Sequence, residues 1–314
     1  LRGDDMRAHE ALTALAERED AGVMGYRGLA ARALKRNDMA ELRAALAAAE
    51  NRDPECNWVR SLRLLLLVRE GQWAEARRVL RDLRRGRMAT EIAFERQEAA
   101  LAQAEAVEAD LSGNGNEALD LAREALKLDP KLTPAAVLAA RLAQGAGRSG
   151  LRDGILKDAF AARPHPDIIQ AALAGFENET PGVRHRRVIE VTQGAPDHPE
   201  SLLARGETAL AAEYWAEARR DLEAAGKAGS ARAFELLAQL EEAQSGDSDA
   251  AAGWRARAQS VADDPHWVCE SCGAGRRHWA PRCTSCDAVG SFDWRPAGGI
   301  SPTALRPQEF SLLA

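Results

Sequence analysis

AALAQAEAVEADLSGNGNEALDLAREALKLDP, residues 99–130, reads as two helical stretches rich in alanine, leucine and glutamate. They are split by Ser112-Gly113-Asn114-Gly115 and stopped at Asp129-Pro130. Alanine or glycine stands at 106, 113, 118 and 125. Small residues at such places let two antiparallel helices approach closely, and larger apolar residues on the same faces knit one pair to the next. A lone pair cannot bury its own face. A stack of pairs can, and it curves into a superhelix with a concave groove. The stretch therefore predicts a repeat, to be sought along the whole chain.

Ala106, Gly113, Ala118, Ala125 and Pro130 resemble the small residues, inter-helix turn and closing proline of the thirty-four-residue tetratricopeptide repeat. The same pattern recurs. From Val23, Asn37-Asp38 takes the turn, Ala49 the small position and Pro54 the end; from Asn57, Gly71-Gln72 is the turn and Ala76 follows. From Thr133, Gly147 is the turn, Ala159 the small position and Pro164 the end, but Arg152 stands where alanine belongs. From Pro199, Gly206, Ala218 and Ala225 match, with Trp215 at the aromatic turn position; from Arg232, Gly246-Asp247, Ala251 and Ala258 match. Asp167 to Asp197 matches weakly and predicts a helix pair broken at Glu179-Thr180-Pro181, threonine capping and proline opening the second helix.

Two departures carry expectations of their own. Between Met88 and Glu98 the spacing holds an insertion of several residues and then runs on without a breaker, which predicts an extended first helix from near Thr90 to Ser112. At the start, Gly3-Asp4 predicts an inter-helix turn, with residues 6–17 as a second helix that lacks its partner. Leu1 is not methionine, which predicts a natural start further upstream and a targeting or anchoring segment there. The reading is an all-α, right-handed tetratricopeptide-like α-solenoid over residues 1–262, of about seven helix pairs plus a leading half pair.

HWVCESCGAGRRHWAPRCTSCDAVGSFDW, residues 266–294, carries the chemistry. Cys269 and Cys272 form one C-x-x-C pair and Cys283 and Cys286 another, so four thiolates from two tight turns can close a tetrahedron around one soft divalent cation. Two disulfides are the competing reading, but a long helical chain with an ample core has little need of them. A thioredoxin-like redox pair would want a βαβ setting, and the sequence has none. Zinc is the expected metal and iron the alternative, since the spacing fits both. With all four positions filled by protein, no site remains for an activated water, so the knuckle, a zinc-ribbon or rubredoxin-like unit over 263–296, reads as structural or recognitive. Trp267, Trp279, Phe292 and Trp294 are expected to pack it against the last helices, with Trp254 and Phe234 as the receiving surface. His266 and His278 are left out of the ligand set because four cysteines complete it.

Composition narrows the rest. The 314 residues carry a formal charge of −6, which argues against a nucleic-acid coat. No run of eighteen apolar residues occurs, so nothing here reads as a membrane span. Cys56, the cysteine left over, reads as a small packed side chain. Two basic runs, at Arg81, Arg84, Arg85 and Arg87 and at Arg184, His185, Arg186 and Arg187, read first as solvated helix faces and second as contacts for acidic headgroups or an acidic partner. No H-E-x-x-H or G-x-S-x-G is present, and Gly145 to Gly150 lacks the lysine and the preceding strand of a phosphate loop, so no enzyme is expected. Residues 297–314 read as a flexible tail, with the apolar ending Phe310 to Ala314 as a less favoured docking peptide.

Helical repeats ending in a paired C-x-x-C knuckle resemble LapB, a bacterial tetratricopeptide protein with a carboxy-terminal rubredoxin-type metal domain. The runs PKLTPAAVLAARL, PHPDI, PDHPESLLARGE, DDPHWVCESC, RRHWAPRC and SFDW resemble the alphaproteobacterial HemY-type proteins more closely. The LapB resemblance implies an adaptor at the cytoplasmic face of the bacterial inner membrane, tethered by an amino-terminal segment and working with a membrane protease on a lipid A synthesis enzyme to regulate lipopolysaccharide supply. The HemY resemblance implies instead a scaffold or carrier in haem and porphyrin metabolism. Common to both is a membrane-tethered solenoid that holds other proteins, with no nucleic-acid partner.

Overall fold

A computed structural model describes residues 2–85, 91–261 and 265–295. The tail at 297–314, Thr90 and Arg87 lie outside them, as does the side chain of Arg85. The helical part is a run of antiparallel pairs. A leading helix α1 (Arg2–Glu17) precedes α2 (Gly22–Arg36) with α3 (Met39–Arg52), then α4 (Asn57–Glu70) with α5 (Trp73–Arg85) and α6 (Glu91–Leu111) with α7 (Gly115–Leu128). Beyond these come α8 (Thr133–Gly145) with α9 (Ser149–Ala162), α10 (Pro166–Leu173) with α11 (Pro181–Thr192), α12 (Pro199–Ala211) with α13 (Trp215–Lys227), and α14 (Ala231–Gln244) with α15 (Ser248–Gln259). Each helix packs on its successor. The chain is thus a helical solenoid of the tetratricopeptide type.

The turns show why the sequence folds this way. One residue takes the left-handed conformation at the end of the first helix of most pairs: Asn37, Gly71, Gly113, Gly147, Gly246 and, without glycine, Glu213 at φ 59°. Asp38 and Asp247 then cap the second helix, accepting from the backbone N–H of Glu41 at 3.0 Å and of Ala250 at 2.9 Å. The small positions lie at the helix contacts: Ala49, Ala118, Ala125, Ala218, Ala225 and Ala251 are fully buried. A Cβ on Gly206 would sit 2.6 Å from Leu222 Cγ, so only glycine permits that approach.

The structure corrects the expectation at Gly3-Asp4. No turn forms there; α1 runs through it, and Asp5 near its start reaches Arg32 of α2 at 3.0 Å. An acidic residue close to a helix start favours helix over turn. At the predicted break, Thr180 holds the N-cap position of α11 and Pro181 the first turn, but the threonine side chain makes no cap hydrogen bond.

Arg152, the odd residue among alanines, has a physical reason. The next helix along the chain, α10, is only 8 residues long. The guanidinium is 2% exposed and donates to the carbonyls of Ala171 at 3.0 Å and Ala172 at 2.6 Å, at the end of α10. Those carbonyls have no donor within their own helix. An early helix end is thereby closed by a side chain from the neighbouring pair.

The even-numbered helices form the inner layer, with α6 touching α8, α8 touching α10, α10 touching α12 and α12 touching α14. Among the described residues α4 and α6 do not approach each other closely. The repeat spacing carries its insertion at this place. Helix α4 is also apolar on more than one face: Leu62, Leu64, Leu65, Leu66, Leu67 and Val68 are all buried. A helix apolar on more than one face needs more than one partner.

Candidate metal centre

Three short strands frame the cysteines. β1 (His266–Cys269) lies between β2 (Gly275–Arg276) and β3 (Phe292–Arg295), antiparallel to both. Two similar loops hold the thiols. In the first, the N–H of Gly273 donates to the Cys269 carbonyl at 2.8 Å and that of Cys269 to Ala274 at 2.9 Å; in the second, Asp287 donates to Cys283 and Cys283 to Ala288, both at 2.9 Å. Gly273 at φ 76° and Asp287 at φ 61° occupy the matching left-handed position.

The four Sγ atoms lie within 4.8 Å of one another. Cys269 and Cys286 are 3.7 Å apart and Cys272 and Cys283 3.6 Å. A metal with bonds of about 2.3 Å to four thiolates at tetrahedral angles needs sulfurs about 3.8 Å apart. The donor set thus fits one metal ion. Burial resists ionisation of Cys269, yet the hydroxyl of Ser291 at 3.2 Å and the backbone of Cys272 and Ser271 bring it down to about 7. Burial first, then the neighbouring Cys272 and Cys269, pushes Cys286 well up. A divalent cation would favour the thiolate form of all four, since a bound cysteine gives up its proton.

The knuckle does not sit on the last helix pair. Trp254 of α15 and Phe234 of α14 stack on each other at 5.8 Å and pack against the cluster of α12 to α14. The knuckle lies instead on the inner layer of the middle repeats. Trp279 packs on Ala99, Ala102, Leu132 and Ala135; Val289 packs on the cluster of α4, α5 and α6. Trp267 and Trp294 close on His165 at the N-cap of α10, with ring centres 5.3 Å and 4.2 Å away. The physical reason is the apolar surplus of α4, which the polar, largely exposed α15 does not match.

Ion pairs surround this contact. Asp287 receives Arg69 of α4 together with Arg282 at 2.5 Å. Glu270 receives Arg96 of α6 at 2.6 Å and Arg295 at 2.7 Å; Asp293 receives Arg163, the C-cap of α9, at 2.7 Å. These side chains are part-exposed, so each pair contributes roughly 0–1 kcal/mol. Burial of the tryptophans and Val289 supplies most of the stability, and the charges set the register. A cavity of about 60 Å³ remains between Leu64, Leu65, Val68, Leu101, Cys286 and Val289.

Parts of both basic runs are paired. Arg81 pairs with Glu98 at 2.6 Å and Glu124 at 3.0 Å, beside Arg77, which is bound to Glu105 at 2.9 Å and to Glu124. Arg187 pairs with Glu179 at 2.6 Å and lies over Phe176, while His185 is buried against Thr208 and Glu217. Cys56 precedes α4, half-buried against the cluster of α2, α3 and α4. Arg69, Arg96, Arg163 and His165 were not singled out from sequence. The one available signal was the run of apolar residues from Leu64 to Val68 in α4, which spans more than one face and needs a second cover.

No family model matches the chain. The probable magnetosome protein Mms48 of Magnetospirillum gryphiswaldense is 30% identical over 243 residues, 76% of this chain and 54% of that protein. The chain thus spans about half the length of this curated relative. Similar solved structures include a tetratricopeptide repeat protein of Parabacteroides merdae, 15% identical with a TM-score of 0.37, covering 76% of this chain and 93% of that one. Another is the carboxy-terminal part of a repeat-containing protein of Cytophaga hutchinsonii, 13% identical with a TM-score of 0.38, covering 74% and 93%.

Proposed function

We propose that this chain is a non-catalytic adaptor that holds other proteins along its helical repeats, with a metal-bound four-cysteine knuckle as part of the binding surface. The observation that carries the reading is the seating of the knuckle on the inner layer at α4, α6, α8 and α10, where a repeat solenoid of this kind offers its groove. Cys269, Cys272, Cys283 and Cys286 would hold zinc, or iron. A metal so bound supplies cross-linking of the two loops, since four thiolates leave no open coordination position.

The finer reading is LapB-like: an adaptor at the cytoplasmic face of a bacterial inner membrane, joining a membrane protease to a lipid A synthesis enzyme. It rests on the resemblance of repeats plus paired C-x-x-C knuckle. No described helix is long and apolar enough to cross a membrane, so this reading places the tether outside these helices. The name of the Mms48 relative refers to the magnetosome, a different setting for the same kind of chain. Capture from solubilised membranes with the full chain tests the proposal. Recovery of a protease or an envelope-synthesis enzyme is the expected result. Recovery of haem-pathway enzymes alone would replace it with the HemY-type scaffold.

A further inference from the structure

The loops that carry the cysteines are the loops that touch the solenoid. Asp287, immediately after Cys286, receives Arg69 of α4. Glu270, immediately after Cys269, receives Arg96 of α6 at 2.6 Å. Val289, between these loops and β3, enters the α4–α6 cluster. Gly290, at φ 63°, lies so close to α6 that a Cβ there would come 2.6 Å from the Arg96 carbonyl. Asp293, which receives Arg163, follows Phe292, the β3 partner of Cys269.

We propose that metal occupancy of the four cysteines governs whether the knuckle stays seated, making the ion a latch over α4 and α6 as well as a staple within the knuckle. This inference rests on the reading of the cysteines as metal ligands. The core of the knuckle consists of Trp267, Phe292 and two of the cysteines themselves, with half-buried residues around them. So small a core does not hold two loops in register when four thiols at its centre are unpaired. Loss of the metal displaces Asp287 and Glu270 together, since each adjoins a ligand, and draws Val289 out of the cluster. The strip of Leu64, Leu65, Val68 and Leu101 then loses its cover. Access to this part of the groove is therefore metal-dependent, while α12 to α15, which hold no part of the contact, are indifferent to it.

Hydrogen exchange on the full chain tests this, comparing zinc-loaded protein with protein stripped by a chelator, with metal content measured in parallel. Stripping is expected to remove protection from α4 and from residues 91–101 and to leave α14 unchanged. A triple variant, Arg69→Glu, Arg96→Glu and Arg163→Glu, alters no knuckle residue; it is expected to retain one zinc and still lose protection in α4. Retained protection in α4 after stripping overturns the latch, as does parallel loss in α14. A triple variant that keeps both zinc and protection removes the ion pairs from it. If the purified chain binds neither zinc nor iron, the ligand reading itself fails and the latch falls with it.

Discussion

The imidazole of His165 lies 4.2 Å, centre to centre, from the indole of Trp294, and its residue is 1% exposed. Its Nδ1 accepts the backbone N–H of Asp167 at 3.1 Å, capping α10, while its ring faces the knuckle. One side chain thus joins a helix start to the docked unit. Replacing His165 by Ala removes both the cap and the ring contact, and is expected to cost on the order of 2–4 kcal/mol. Urea unfolding followed by tryptophan fluorescence measures it; a loss under 1 kcal/mol would mean the stacking does not hold the unit.

The same residue makes stability depend on pH. Burial, then the positive charge of Arg163, lowers its pKa to about 4. Between that value and the ordinary 6.5 the unfolded chain binds a proton that the folded chain refuses, so stability is full above about 6.5 and falls as pH drops toward about 4. The loss is on the order of 3 kcal/mol, from about 1.4 kcal/mol per pKa unit. Asp167, whose Oδ2 is 3.7 Å from the imidazole, works the other way: burial raises its pKa against the pull of His278, which favours the folded state as it takes up its proton. Unfolding titrations at pH 7 and pH 4.5 for the natural chain and for His165→Gln should differ in slope. Equal slopes would remove His165 from the effect.

Cys269→Ser removes one donor from a buried position. Metal content should fall, and protection should be lost around α4 and α6, where the knuckle is seated, while α14 and α15 keep theirs. Loosening of the last pair instead would restore the expectation from sequence, that the knuckle closes the end of the solenoid.

Arg152→Ala restores the usual alanine of the repeat. It should nonetheless destabilise, by about 2–3 kcal/mol, because the carbonyls of Ala171 and Ala172 lose a charged donor in a buried place. Hydrogen exchange should rise first in α10. A neutral or stabilising result would mean water replaces the guanidinium at no cost.

Gly290→Ala should weaken docking without loss of metal. Its positive φ and the nearby Arg96 carbonyl both oppose a Cβ, at a cost of about 1–3 kcal/mol. Metal analysis and exchange in α6 separate the two effects; unchanged protection in α6 would show that the approach relaxes freely.

The helical pairs were legible because their signals are local. Asn37-Asp38, Gly71, Gly113, Gly147 and Gly246-Asp247 mark turns through the backbone conformation they allow or the cap they provide. The unbroken run predicted a helix from near Thr90 to Ser112, and the 21-residue α6, Glu91–Leu111, follows it. Arg152 could be seen to break the alanine pattern, but its purpose depends on how early α10 ends. Gly3-Asp4 misled because a dipeptide that suits a turn also suits a helix start.

Spacing alone also brought Cys269, Cys272, Cys283 and Cys286 to one point, since each pair is closed by its own short turn and the partners lie within 17 residues. Where that unit comes to rest was decided by the tertiary structure. Arg69 and Asp287 are 218 positions apart, Arg96 and Glu270 174, and no local pattern joins them. The knuckle has several apolar faces, and the sequence names neither which helices have apolar surface to spare nor which of them stand apart. Only the folded stack, with α4 short of cover and separated from α6, supplies the place where burying the tryptophans and Val289 releases the most water.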